Sequence, residues 1–144
     1  MFVTRLRVRG ISVVVNDDGR LLSIYRRDSG RLQWTLPFAE AVGGEDLPAT
    51  LHRSLLEDIG YEIRIEEIAA VMEQRRPAVP TRVLSIFFRA VLISPESTRP
   101  QLNRRAIEVG WLDKNSFGEA LEPVIGHVLG PRSSGVPYFS IECG

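Results

Sequence analysis

The sequence predicts a mixed α/β protein that folds as one domain over residues 1–144. Several segments alternate apolar and polar residues at the period of a β-strand. One segment, at about 47–59, instead shows helical periodicity between a capping residue and a glycine. The 144 residues, 44% of them hydrophobic and 25% charged, are enough to form a single hydrophobic core.

The N-terminal part is predicted to form strands joined by a tight turn. The segments TRLRVRG and ISVVV read as one strand, NDDGR as a turn and LLSIYRR as the return strand of a hairpin. Arg5, Arg7 and Arg9 fall on one face of the first strand. A solvated face is the first interpretation of this arginine ladder, and phosphate contact is the alternative. Residues 28–46 are predicted to be a loop with a short apolar piece, WTLP.

The clearest helix is predicted from about Leu47 to Ile59. Asp46 suits the N-cap, and Pro48 suits the first turn, where its missing N–H costs little. Gly60 suits the position just after the helix. The predicted buried stripe consists of Leu51, Leu55, Leu56 and Ile59.

The second half is predicted to contain three further strands and a helix. YEIRIEEIAAVMEQ, RVLSIFFRAVLI and AIEVGWLD read as strands, with RRPAVPT as a loop after the first. SPESTRPQLNRR is a polar loop long enough to suggest a functional role. FGEALEPVIGHVLG predicts a final helix broken near Pro123, and the tail PRSSGVPYFSIECG is left unassigned.

Composition excludes several classes of partner. Eighteen basic and eighteen acidic residues give zero formal net charge, which does not favour a nucleic-acid polymer or a membrane surface. Cys143 is the only cysteine, so no intramolecular disulfide is expected. MFVTRLRVRG does not read as a signal peptide, and a cytoplasmic protein is the default.

The polar face of the predicted helix carries groups that could take part in chemistry. Arg53 and Glu57 are four residues apart, as are Ser54 and Asp58, so each pair shares a face. Two adjacent carboxylates repel each other unless a cation lies nearby, and Mg²⁺ prefers such oxygen ligands. An ordinary charged surface is the alternative.

The segment WTLPFAEAVGGEDLPATLHRSLLEDIGY, residues 34–61, resembles the Nudix hydrolase family. The signature of that family is G-x5-E-x7-R-E-U-x-E-E-x-G-U, where U is apolar. Glu45, Arg53, Leu55, Glu57 and Gly60 match it, and Asp58 and Tyr61 are conservative matches. The resemblance implies an α/β/α sandwich with a mixed, hairpin-rich sheet and the motif helix at about 47–59.

Two positions depart from the signature. Ala39 stands at its first glycine, preceded by Phe38 instead of another glycine, and a left-handed conformation at Ala39 would cost about 1–2 kcal/mol. Ser54 replaces the glutamate that serves family members as metal ligand or base. The resemblance still implies an Mg²⁺ or Mn²⁺ ion on Glu57, Asp58 and the Ala39 carbonyl.

The resemblance also suggests roles for other residues. Arg53 would orient Glu57, while Glu45 or Glu96, in the long polar loop, would act as the base. Glu73 and Glu108 are weaker candidates for the base. Four arginines are candidates for contact with substrate phosphates: Arg26, Arg27, Arg75 and Arg76.

Three functions stay open on the sequence alone. The first is metal-dependent hydrolysis of a diphosphate linkage in a nucleoside diphosphate-linked or related small molecule. The second is a Nudix domain that binds a nucleotide-like ligand without cutting it, which Ser54 favours. The third is a structural role that keeps only the fold. Many proteins of this fold pair up, so a homodimer is an alternative to a monomer.

Overall fold

The computed structural model describes residues 5–76, 78, 80–132 and 135–142. Cys143 and parts of the RRPAVPT loop lie outside these residues. The strands are β1 (Arg5–Val14), β2 (Leu21–Asp28), β3 (Arg31–Thr35), β4 (Phe38–Glu40), β5 (Ile63–Arg76), β6 (Thr81–Leu92), β7 (Glu108–Leu112) and β8 (Tyr138–Glu142). The helices are α1 (Leu47–Ile59) and α2 (Glu122–Leu129), with a 3-10 turn at Lys114–Phe117.

The strands form two sheets. A five-stranded mixed sheet has the order β4-β1-β6-β5-β8, with β1 parallel to β6 and β5 parallel to β8. A three-stranded antiparallel sheet has the order β3-β2-β7. The α/β fold with a mixed sheet is therefore confirmed.

The two helices pack on opposite faces of the larger sheet. Phe87 and Phe88 are neighbours on β6, so their side chains point to opposite faces. Phe87 packs in a cluster with Val124 and Ile125 of α2, whereas Phe88 packs with Leu51 of α1. This arrangement is the predicted α/β/α sandwich. Among the described residues, no helix is long and apolar enough to cross a membrane.

Helix α1 begins and ends where the sequence predicts. The Asp46 carboxylate accepts a hydrogen bond from the Ala49 N–H at 2.8 Å, as an N-cap does. Gly60 ends the helix in the left-handed region with φ of 76°. Gly10 of β1 lets the helix approach closely, because a Cβ there would lie 2.9 Å from Leu51 Cδ1.

The buried stripe of α1 differs from the prediction at one position. Leu51, Leu55 and Ile59 are buried, but Leu56 is 46% exposed and Asp58 is only 2% exposed. Asp58 follows Leu51 by seven residues, which is two turns of helix, so the same helix face carries both. Leu56 lies well off that face.

The predicted turn between the first two strands is present, but the strands do not pair as a hairpin beyond it. β1 and β2 diverge into different sheets, and a single bridge between Val15 and Leu21 joins the chain where they separate. Alternation of side chains identifies a strand but does not say which strand it pairs with. The predicted loop at 28–46 contains β3 and β4, which pair with β2 and β1 respectively.

The C-terminal part also differs from the prediction. Pro123 does not break α2 but lies in its first turn, where proline is tolerated. The unassigned tail contains β8, which pairs in parallel with β5 from Val71 to Arg75. The long polar loop at 93–107 is confirmed as irregular structure.

Candidate active site on helix α1

Arg53 joins two acidic residues on the solvent face of α1. Its Nη2 lies 2.8 Å from Glu45 Oε1, and its Nη1 lies 3.2 Å from Glu57 Oε2. Glu45 stands just before the helix, so this pair ties the preceding loop to the helix. The Arg53 hydrogen bond lowers the pKa of the Glu45 carboxyl, and the pKa of Arg53 is raised.

Glu57 is the most accessible member of this cluster, with 53% of its side chain exposed. It lines an open depression of about 550 Å³ together with Leu102, Asn103, Arg104 and Arg105 of the 93–107 loop. Two exposed arginines therefore lie beside the exposed carboxylate. The sequence prediction missed Arg104 and Arg105, although their position in a long polar loop was a signal.

Asp58 is buried, and each of its carboxylate oxygens has a partner. Asn103 Nδ2 donates to its Oδ1 at 2.9 Å, and the Asn103 backbone N–H donates to its carbonyl oxygen at 3.0 Å. Ser54 Oγ donates to its Oδ2 at 3.4 Å, and Arg26 Nη1 lies 3.8 Å from the same oxygen. Asp58 thus anchors the 93–107 loop to α1.

Arg26 reaches this carboxylate from β2 across an aromatic ring. Its guanidinium carbon lies 4.6 Å from the centroid of the Phe38 ring, and Arg9 lies 4.8 Å from the same centroid. The Arg26 side chain is 13% exposed. Its Nε has no hydrogen-bond partner among the described residues.

Ala39 does not adopt the conformation that a glycine would have provided. It lies within β4, opposite Gly10 of β1, and is absent from the positive-φ residues of the described chain. The expected cost of a left-handed alanine therefore does not arise. Because Ala39 is extended and only 9% exposed, this departure from the family signature is accommodated by a strand.

The three predicted metal ligands have different surroundings. Glu57 faces solvent and is held by Arg53, Asp58 is buried against other partners, and Ala39 lies in β4. Across the described ranges, no three His, Cys, Asp or Glu side chains group in a way that could hold a metal ion. The residues, as arranged, do not fit a divalent ion at the predicted position.

The other predicted site residues lie apart from the helix. Glu96 accepts a hydrogen bond from Asn16 Nδ2 at 3.2 Å, near the turn between β1 and β2. Arg27 donates to the Gly30 carbonyl oxygen at 3.1 Å, at the turn between β2 and β3. Arg75 lies on β5 with its Nε buried and, within the described chain, unpartnered.

Arg76 belongs to a second, basic cleft. The cleft has a volume of about 480 Å³ and is lined by Arg7, Arg9, Arg31 and Arg76, with Phe38 on its wall. Four arginines exceed the two acidic residues that also line it, Asp28 and Glu40. Part of the Arg5–Arg7–Arg9 ladder therefore faces a concave surface, which suits an anion.

Arg9 is the most constrained cation of this cleft. Its Nε donates to Ser85 Oγ at 3.1 Å, and burial lowers its pKa, which nearby Asp28 partly offsets. Arg7 is paired with Glu40 on the neighbouring strand.

Comparison with known proteins identifies relatives of this fold. No profile of a known protein family matches the chain. A MutT-like protein of Streptomyces ambofaciens is 26% identical over 112 residues, which cover 78% of this chain and 67% of that protein.

Solved structures of Nudix hydrolases share the fold of this chain. A NUDIX hydrolase from Nitrosomonas europaea matches with a TM-score of 0.67 and 20% identity, over 99% of this chain and 82% of that one. An ADP-ribose pyrophosphatase from Streptococcus suis also has a TM-score of 0.67, with 13% identity, over 94% and 98% of the two chains. The fold is therefore that of the Nudix hydrolases, as the resemblance of residues 34–61 implied.

Proposed function

We propose that this Nudix-fold protein hydrolyses a phosphoanhydride bond in a small phosphorylated molecule, such as a nucleoside diphosphate linked to another group. The observation that carries the proposal is the placement of Glu57. Its exposed carboxylate is held by Arg53 at the edge of a depression that Arg104 and Arg105 also line. The ADP-ribose pyrophosphatase activity named for one structure of this fold is consistent with such a substrate.

The residues at the depression would have different roles in hydrolysis. The guanidinium groups of Arg104 and Arg105 would bind phosphate oxygens, for which their forked donors are suited. Glu57 would accept a proton from the attacking water as general base. Arg53 would keep Glu57 oriented, because its other donors are fixed on Glu45.

The basic cleft is a second candidate place for an anionic group of a ligand. Arg76 and Arg9 supply positive charge there, while Gln33 and Gln74 can donate and accept hydrogen bonds. Phe38 offers an aromatic wall on which a base could stack.

No step of this mechanism passes through a metal ion, because the predicted ligands do not fit one as arranged. Dependence on Mg²⁺ or Mn²⁺ is therefore decided by assay. A divalent ion bound to Glu57 alone would compete with Arg53 for the same carboxylate.

A second candidate function is binding of the same class of ligand without turnover. Ser54 favours it, because a hydroxyl lacks the charge and basicity of the glutamate in the family signature. The burial of Asp58 also favours it, since this carboxylate is not presented to a ligand.

The test is cleavage of a panel of nucleotide-linked diphosphates that includes ADP-ribose, measured by chromatography as formation of the two phosphate monoester products. Wild type, Glu57→Gln and Glu96→Gln are assayed with Mg²⁺, with Mn²⁺ and with a chelator. Glu119→Gln, which removes an exposed carboxylate outside the site, is the matched control. Binding of each compound is measured in parallel by calorimetry.

Turnover that Glu57→Gln abolishes and Glu119→Gln retains is the expected result. Binding without turnover in the wild type would favour the second candidate function. Turnover that Glu57→Gln leaves unchanged but Glu96→Gln abolishes would move the base to the 93–107 loop. Neither binding nor turnover across the panel would contradict both functions for these compounds.

A further inference from the structure

The Ser54–Asp58 face of α1 already contains a cation, which the protein supplies itself. Arg26 Nη1 lies 3.8 Å from Asp58 Oδ2, the same oxygen that accepts a hydrogen bond from Ser54. Arg26 comes from β2, so this contact joins the smaller sheet to the motif helix. The repulsion expected between Glu57 and Asp58 is relieved by a different arginine for each carboxylate.

The space around this contact is narrow. Ser54 and Asp58 face Arg26, Pro37 and Phe38 across a gap that is too small to hold a water molecule. The Phe38 ring, one residue before the position of the signature glycine, covers one side of the guanidinium at 4.6 Å. An aromatic face adds its own attraction for a cation and holds the guanidinium in place.

A divalent ion would find few free ligands at this position. Mg²⁺ takes about six oxygen ligands at about 2.0–2.1 Å, several of them water. Asp58 offers one carboxylate, whose two oxygens already accept hydrogen bonds from Asn103 and Ser54. Without room for water, the coordination shell could not be completed.

We propose that Arg26 is the permanent counter-cation of Asp58 and closes the Ser54–Asp58 face of α1 to divalent metal ions. Asp58 then serves as a positioning residue, which fixes Arg26 on one side and the 93–107 loop on the other. Any metal ion that the protein binds must lie on the Glu57 side of the helix. This proposal does not depend on the proposed function, because it concerns cation binding and not turnover.

The proposal makes Ser54→Glu insufficient to create a metal site. A glutamate at position 54 would lie beside the Arg26 guanidinium, which would neutralise it. Removing the charge of Arg26 at the same time would leave two carboxylates without a cation. Only the double variant Ser54→Glu/Arg26→Gln should therefore gain affinity for a divalent ion.

The experiment is a titration with Mn²⁺ alone, in which free Mn²⁺ is followed by its electron paramagnetic resonance signal. Wild type, Ser54→Glu, Asp58→Asn, Glu57→Gln and the double variant are compared, with circular dichroism as the check of folding. Ser54→Glu should bind Mn²⁺ no more tightly than the wild type. The double variant should bind at least tenfold more tightly, and Asp58→Asn should leave Mn²⁺ binding unchanged.

Two results would overturn the proposal. One is a tenfold or greater gain of Mn²⁺ affinity in Ser54→Glu alone, which would show that the face is open. The other is a loss of Mn²⁺ binding in Asp58→Asn while Glu57→Gln retains it, which would make Asp58 a ligand. The second result can be read even if the double variant fails to fold.

Discussion

Replacement of Asp58 by alanine should destabilise the protein by about 3 kcal/mol. The substitution leaves the Asn103 amide and the Ser54 hydroxyl without an acceptor and Arg26 without its counter-charge. Breaking a buried ion pair costs about 3–5 kcal/mol, and hydrogen bonds to a charged group contribute about 1.5–3 kcal/mol. The lower end of the ion-pair range applies, because Arg26 Nη1 lies 3.8 Å from the Asp58 carboxylate and the Arg26 side chain is 13% exposed.

The assay is urea unfolding followed by circular dichroism, with Glu57→Ala as the control on the same helix. Glu57 is 53% exposed, so its removal should cost less than about 1 kcal/mol. For a chain of this size, a loss of 3 kcal/mol corresponds to about 10 °C in melting temperature. If Asp58→Ala costs no more than Glu57→Ala, Asp58 is not the buried anchor described above.

Three further predictions concern the local design of α1 and its surroundings. Gly10→Ala should lower the free energy of unfolding in urea by about 1–3 kcal/mol, because the new Cβ would lie 2.9 Å from Leu51 Cδ1 and force a shift. An unchanged urea midpoint would contradict this close approach. Gly60→Ala should cost about 1–2 kcal/mol by the same assay, because φ of 76° strains an L-residue, and a stabilised variant would exclude this C-cap. Glu45 has a lowered pKa in the folded state, so its contribution to stability is present above the unfolded value of about 4.3 and is lost as pH falls through the folded pKa. Unfolding measured from pH 7 to pH 3 should therefore depend less on pH in Glu45→Gln than in wild type, and equal slopes would show that Arg53 does not stabilise the ionised form.

Local signals in the sequence were sufficient for α1. The helix ends are set by short-range effects of three residues on the neighbouring backbone: Asp46, Pro48 and Gly60. The bounds of the helix could therefore be predicted without knowledge of the rest of the chain. The motif residues Glu45, Arg53 and Glu57 likewise lie within one loop and helix, and the structure brings them together.

Long-range pairing could not be predicted in the same way. The alternation in β1 does not reveal that β1 pairs with β6 and β4 instead of β2. β8 lies in a tail rich in Gly, Pro and Ser. Its backbone hydrogen-bonding partner is β5, which is distant in the sequence.

The role of Asp58 was missed for a different reason. The family resemblance implied that this carboxylate binds a metal ion, and its spacing from Ser54 placed it on the polar face of α1, whereas the structure buries it. Its partners, Asn103 and Arg26, come from a loop and a strand far away in the sequence. A buried acid on a motif helix is thus recognised by its tertiary partners.

The most direct test of the central claim is the rate at which Glu57→Gln cleaves the phosphoanhydride bond relative to wild type, at saturating concentration of the best substrate from the panel. Loss of a general base lowers the rate by about 10²–10⁴-fold, and this is the predicted result, with Glu119→Gln at the wild-type rate. A Glu57→Gln rate within twofold of wild type would contradict the assignment of Glu57 as the base at the centre of this site.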